Sequence, residues 1–418
     1  MPAFHYGTGH SLELEFDSDA RVTICDAPRG EPLDDVAESA RKALCEPLGF
    51  PALAQAVMPG DRVAVAVPGD VPQSATLVAA VINQLLDGGV DSANITVLCG
   101  PDARSDAEPF NVLAAVPDEI RQRLTIKQHD PRDRDSLSYL AATEDATAVY
   151  LNRALHEADF VVSLGVLRVA DASGYFGIYS SIYPTFSDAA TLACFRATSV
   201  AQPAEQRRLA KQAGEVGWLL GTRFTLQVVP GANDEVLAVL AGDVDAVLAE
   251  GKQAVQTAWH CDVPSRAGLV VVGIGGDVSQ QSWENVGRAL QVAGRVAAGN
   301  GDVIICSDLA EPLGVGLDIL TGAENFIVAL REIDRAKPVD SLAATHVGAA
   351  LERGRVYLVS DAPRGQLEDL GIHPLDSDDV ARVTARYDSC IVLPNAQYVD
   401  ASYAGETSGK PKPRRSRS

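Results

Sequence analysis

Apolar residues recur along the chain in short blocks of two kinds. RVAVAVPGD (62–70) is an apolar run of strand length that stops at Pro-Gly. QSATLVAAVINQLLDGGV (73–90) follows, with apolar residues at helical spacing that end at Gly88-Gly89. NITVLCG (94–100), LTIKQHD (124–130) and FVVSLGV (160–166) are predicted as further short buried strands. Strands that are apolar throughout, separated by helical stretches, predict a parallel sheet covered on both faces. Before this series, LELEF (12–16) and RVTIC (21–25) are predicted to pair as a hairpin around the turn FDSDA (16–20).

A second series begins near Arg266. GLVVVGIGGD (268–277) is a predicted strand closed by a glycine turn, and WENVGRALQVAGRVAA (283–298) a helix. DVIICSD (302–308), RVYLVSD (355–361) and SCIVLPN (389–395) are three more strands, with helices such as SLAATHVGAALERG (341–354) between them. The expected architecture is therefore α/β: two domains with parallel or mixed sheets flanked by helices, and a ligand cleft between them. Pro264 and polar neighbours place the boundary at 262–266, giving a first domain over 1–262 and a second over 266–397. Residues 404–418 are basic, rich in Pro and Ser, and expected to be disordered. The pentapeptide DAPRG occurs at 26–30 and 361–365, in different contexts, and is taken as coincidence.

The chain has 418 residues, 46% of them apolar and 22% charged, with a net charge of −21. That acidity argues against nucleic acid or an anionic membrane surface as a partner, since phosphate would be repelled. No run approaches the length needed to span a bilayer, and MPAFHYGTGHSLELEF has neither the basic nor the apolar segment of a secretion signal. Seven scattered cysteines without a Cys-x-x-Cys pair suit reduced thiols in a cytoplasmic protein. Assembly into a homo-oligomer stays open.

Chemistry is thinly marked. DASGYFGIYSSIYPTFSDAAT (171–191) gathers five aromatic residues after a buried strand, where ligand pockets form, but has no Lys, His, Arg or Cys. GIGGD (273–277) could present backbone amides to an anion or serve as an ordinary glycine turn. His129-Asp130 could supply a base with an orienting carboxylate, or a ring that caps the next turn. The remaining histidines show no metal-ligand spacing, so no metal site is assigned.

Several segments in order do resemble a known family. FHYGTGHSLELEF (4–16), GDRVAVAVPGDVPQSAT (60–76), HDPRDRDSLSYL (129–140), VYLNRALHEADFVVSLGVLR (149–168) and VLAVLAGDVDAVLAEG (236–251) resemble the nickel-pincer-dependent lactate racemases. The resemblance implies a 2-hydroxyacid racemase or epimerase. It works by hydride transfer to a nickel-pincer nucleotide tethered to a lysine, with two histidine bases, a histidine nickel ligand, and an Arg and a Lys for the carboxylate.

Carried over by position, the resemblance sets Asp102 where the first base belongs and Val169-Ala170 where the second does. Ser180 stands at the tether lysine and Arg196 at the nickel histidine. Asp70 is kept at the cofactor loop, while Gln73 replaces its arginine. Asn285 and Arg288 retain an amide and a cation at the carboxylate site. Loss of one base alone costs about 10²- to 10⁴-fold. The alternative expectation is a divergent member without nickel or pincer cofactor. It binds a small carboxylate or phosphorylated ligand, or serves as a regulatory or structural paralogue. On that expectation Arg288, Asn285, Gln73 and Arg196 hold the ligand, Asp70 and Ser180 lie at the former cofactor position, and Asp102, Tyr175 and Tyr179 are the candidate catalytic groups.

Overall fold

The computed structural model describes residues 3–100, 112–323 and 325–403. Two six-stranded sheets organise the chain. The first comprises β4 (Val63–Val67), β5 (Ile95–Cys99), β6 (Thr125–Gln128), β9 (Phe160–Val166), β10 (Phe224–Pro230) and β11 (Val236–Asp243). Their order is β11-β10-β9-β4-β5-β6, parallel except for the antiparallel β10–β11 pair. Every residue of VAVAV in β4 is buried, as expected of a central strand with helices on both faces. The helix Ser74–Asp87 covers it with Leu77, Val78, Val81, Ile82 and Leu85, and the chain turns away at Gly89 with φ +88°.

The second sheet is wholly parallel. It contains β3 (Arg21–Ile24), β13 (Ala267–Gly273), β14 (Ala297–Cys306), β15 (Val356–Val359), β16 (His373–Pro374) and β17 (Ser389–Leu393), ordered β16-β15-β14-β13-β17-β3. The helices Trp283–Val296 and Ser341–Arg353 pack together beside it. Three two-stranded pairs complete the strands: β1 (Phe4–Tyr6) with β2 (His10–Leu12), β7 (Leu137–Ala142) with β8 (Ala148–Asn152), and β12 (His260–Val263) with β18 (Asp400–Tyr403). No described helix is long and apolar enough to cross a membrane.

Both strand series stand where the apolar blocks predict them, with three differences. RVTIC does not pair with LELEF. Its first four residues form β3, which adds to β17 as a parallel edge strand, and the true hairpin turns earlier, through Gly7-Thr8-Gly9. Sheet membership thus does not follow the division of the chain at 262–266. β6 is exposed at every residue because it is the edge strand of its sheet. The GIGGD turn is no helix N-terminus, because the helix begins only at Trp283. The N-terminal hairpin covers this turn: Gly7 N donates to Ile274 O and Gly276 N to Gly7 O.

Candidate functional site

In the first sheet the strand order reverses between β4 and β9, and a crevice opens beyond their C-terminal ends. Pro68-Gly69-Asp70 leaves one strand there and Leu167-Arg168 the other. A cavity of about 380 Å³ occupies the place. Its far wall comes from the second half of the chain, chiefly Ser282, Trp283, Glu284, Asn285 and Arg288 at the start of the helix Trp283–Val296. Ser282 caps that helix, accepting from Asn285 N at 3.3 Å.

Three arginines reach the cavity. Arg168 has a side chain only 2% exposed. Its Nη2 meets Asp70 Oδ2 at 3.1 Å, its Nη1 donates to Gln397 O at 3.2 Å, and its guanidinium lies 4.8 Å above the Tyr398 ring. Burial opposes its charge, but Asp70 and Tyr398 outweigh that and hold it above the usual arginine value.

Arg288 is buried and donates from all three nitrogens: Nε to Ser173 O at 3.0 Å, Nη1 to Asn285 Oδ1 at 2.7 Å, and Nη2 to Glu284 Oε1. Burial and the neighbouring Arg168 push its guanidinium below the usual value, against Glu284 and Asp70; it remains a cation. Arg196 ends the helix Ala189–Phe195 and places Nη2 3.8 Å from Glu284 Oε2. Burial works against ionised Glu284, but Arg288, Arg196 and Arg168 together keep its carboxyl below the usual range.

The expected site residues divide. Asp70, Tyr175, Ser180, Arg196, Asn285 and Arg288 line one cavity. Asn285 is orientated by its own amide, which donates to Gln280 O at 2.8 Å and Gln280 Oε1 at 3.2 Å. Ser180 Oγ donates to Gly177 O at 2.6 Å. Tyr175 is buried, with its phenol pushed up to about 12 by that burial, so it remains protonated at neutral pH as a wall and donor rather than a base.

Tyr179 and Gln73 do not join them. The Tyr179 ring packs over Gly217 of the helix Pro203–Leu220, because that glycine leaves room for it. Gln73, at φ +49°, sends its Nε2 to Asp234 O at 3.3 Å. Asp102 lies outside the described residues. His129 is no base of the site: Nε2 bonds Ser187 O at 2.8 Å and Nδ1 is 3.2 Å from Asn152 Nδ2, so the ring pins two segments together. Asp130 points elsewhere, accepting from Arg132 N.

Two members of the site escaped the sequence reading. Arg168 stands two residues beyond a largely apolar, buried strand, at the strand end where α/β ligand sites collect, and that position was the available signal. Glu284 lies four residues before Arg288 on one helix, the spacing at which such side chains meet.

Residues 6–207 match the family model of the lactate racemase N-terminal domain. This stretch, just under half of the chain, is lactate racemase-like. The solved lactate racemase apoprotein from Thermoanaerobacterium thermosaccharolyticum is similar in fold, with a TM-score of 0.79 at 16% identity, covering 96% of this chain and 99% of that one. A structural-genomics crystal structure of a protein from Thermotoga maritima is also similar, with a TM-score of 0.68 at 14% identity, covering 90% and 99%. No curated protein sequence matches. The site is thus built from arginines, carboxylates, amides and hydroxyls at the reversal point of the first sheet.

Proposed function

We propose that this lactate racemase-like protein binds a small monocarboxylic acid in the cavity, without lysine-tethered nickel-pincer chemistry. The observation that carries the reading is buried Arg288, held by Ser173 and Asn285, with Arg196 and Arg168 lining the same cavity. A fixed guanidinium matches a carboxylate in two-point geometry.

Charge limits the ligand. The described charged side chains on the wall are three arginines and four carboxylates: Asp70, Glu284, Glu311 and Asp340. A polyphosphate would bring several more negative charges into that nearly balanced space, whereas a monoanion brings one.

The donor set does not fit the cofactor that the family implies. Ser180 cannot form the link a lysine forms, and its hydroxyl is engaged with Gly177 O. All seven histidines are described and none lines the cavity, nor does any described lysine. Among the described residues, no group of three or more His, Cys, Asp or Glu side chains is arranged to hold a metal ion. No reaction step is therefore derived through that cofactor.

The family match over residues 6–207 favours a second reading, racemisation or epimerisation of a 2-hydroxy acid. One experiment separates the two. Protein purified from its own host is weighed intact under native conditions, assayed for nickel, and titrated calorimetrically with lactate, glycolate and acetate. The proposed reading expects the bare chain mass, no stoichiometric nickel, and binding of at least one acid that Arg288→Ala weakens by about tenfold or more. Stoichiometric nickel with a cofactor-sized mass increment would establish the racemase reading instead. Acid binding that Arg288→Ala leaves unchanged would remove the carboxylate assignment.

A further inference from the structure

Glu284 is about half accessible, at 47%, and lines the cavity, while its chain neighbours Trp283 and Asn285 are buried. One of its oxygens accepts from Arg288 Nη2 and the other stands 3.8 Å from Arg196 Nη2. A single carboxylate of the chain therefore sits on both of these arginines. The other two acceptors on Arg288 are a backbone carbonyl and a buried amide. The carbonyl moves only with backbone and the Asn285 amide is buried and tied to Gln280, whereas the half-accessible Glu284 carboxylate can leave by a change of side-chain rotamer.

We infer that Glu284 is a built-in competitor, whose carboxylate holds the place of the ligand's carboxylate on Arg288 and Arg196 until an acid displaces it. The inference rests on the cavity being a carboxylate site. It gives the arginines a partner in the free protein, since buried charges without one are costly. It also raises the concentration at which a small acid binds, because each binding event must break a charge-assisted hydrogen bond. Affinity in the unsubstituted protein is then a difference between two carboxylates of similar strength.

The test compares the full chain with its Glu284→Gln and Asp340→Asn variants by calorimetric titration with lactate, glycolate, acetate and succinate. Thermal melts of all three check folding. Glutamine keeps the shape and one acceptor but loses the charge. Asp340 lines the same cavity and accepts from Gly316 N and Leu317 N, so its substitution removes a wall charge without freeing an arginine. Glu284→Gln is expected to bind at least one acid roughly tenfold more tightly, and Asp340→Asn, which removes one wall charge but frees no arginine, to tighten binding by no more than about threefold. Binding seen only in Glu284→Gln also supports the competitor. If the starting protein binds an acid and Glu284→Gln binds it equally or less well, Glu284 is no competitor while the carboxylate site stands. Equal tightening in Asp340→Asn would reduce the effect to net charge and overturn the inference. If no acid binds any of the three proteins, the carboxylate site itself is wrong.

Discussion

Asp70 Oδ2 and Arg168 Nη2 stand 3.1 Å apart across the crevice where the strand order of the first sheet reverses. The two residues are 98 positions apart in the chain. Each lies just beyond a strand, and the parallel pairing of β4 with β9 brings those strand ends together. The pair also joins the halves of the molecule, because Arg168 reaches on to Gln397 O and the Tyr398 ring.

Arg168→Met is expected to lower stability by on the order of 2–3 kcal/mol. The value sits below that of a wholly buried pair because the Asp70 side chain is 41% accessible and water recovers part of its loss. Urea denaturation followed by far-ultraviolet circular dichroism measures it; a loss under about 0.5 kcal/mol would show that the pair is incidental.

Arg196→Ala is expected to act on binding and spare the fold. Its side chain is 32% exposed and its contact with Glu284 is long, at 3.8 Å. The melting temperature should move by less than about 2 °C. Affinity for a bound acid should fall by roughly three- to tenfold, read by calorimetry.

His346 should shape the acid limb of stability. Its Nε2 lies 2.8 Å from Ser173 Oγ, and burial, aided by Arg295, lowers its pKa from 6.5 to about 4. The unfolded chain therefore takes up a proton that the folded chain refuses between those values. The stability from neutral His346 is complete above pH 6.5 and is lost as pH falls towards about 4, a change of up to roughly 3 kcal/mol. Denaturation curves at successive pH values should show a shallower decline for His346→Gln than for the starting protein. An identical slope would mean that other groups carry the decline.

Gly217→Ala is expected to destabilise by about 1–3 kcal/mol, because a methyl group there would enter the Tyr179 ring. Adding Tyr179→Leu should recover part of the loss. A double-mutant cycle gives the coupling, and strict additivity would show that the ring does not rest on this glycine.

The order of strands and helices was legible because it is written in local periodicity. VAVAV and LVVVG are apolar at every position and FVVSLGV at every position but Ser163, a pattern that only strands covered on both faces require. The family resemblance likewise rests on short segments in order, and six of the nine expected site residues do share one cavity. The sequence by itself thus determined the α/β architecture, the lactate racemase-like character of the N-terminal half and six residues of the cavity wall.

Tertiary structure alone decided the rest. β3 is an ordinary short strand, and only the free edge of β17 made it a sixth strand of the distant sheet rather than half of a hairpin. Tyr175 and Tyr179 lie four residues apart, yet one faces the cavity and the other a glycine notch, because Tyr175 sits in irregular chain and Tyr179 in the single helical turn Ile178–Ser181, too short to show a period. Arg168 finds Asp70, and Glu284 finds Arg196, across long stretches of chain. Such pairings depend on where the folded backbone brings charges out of water, and no local pattern records that.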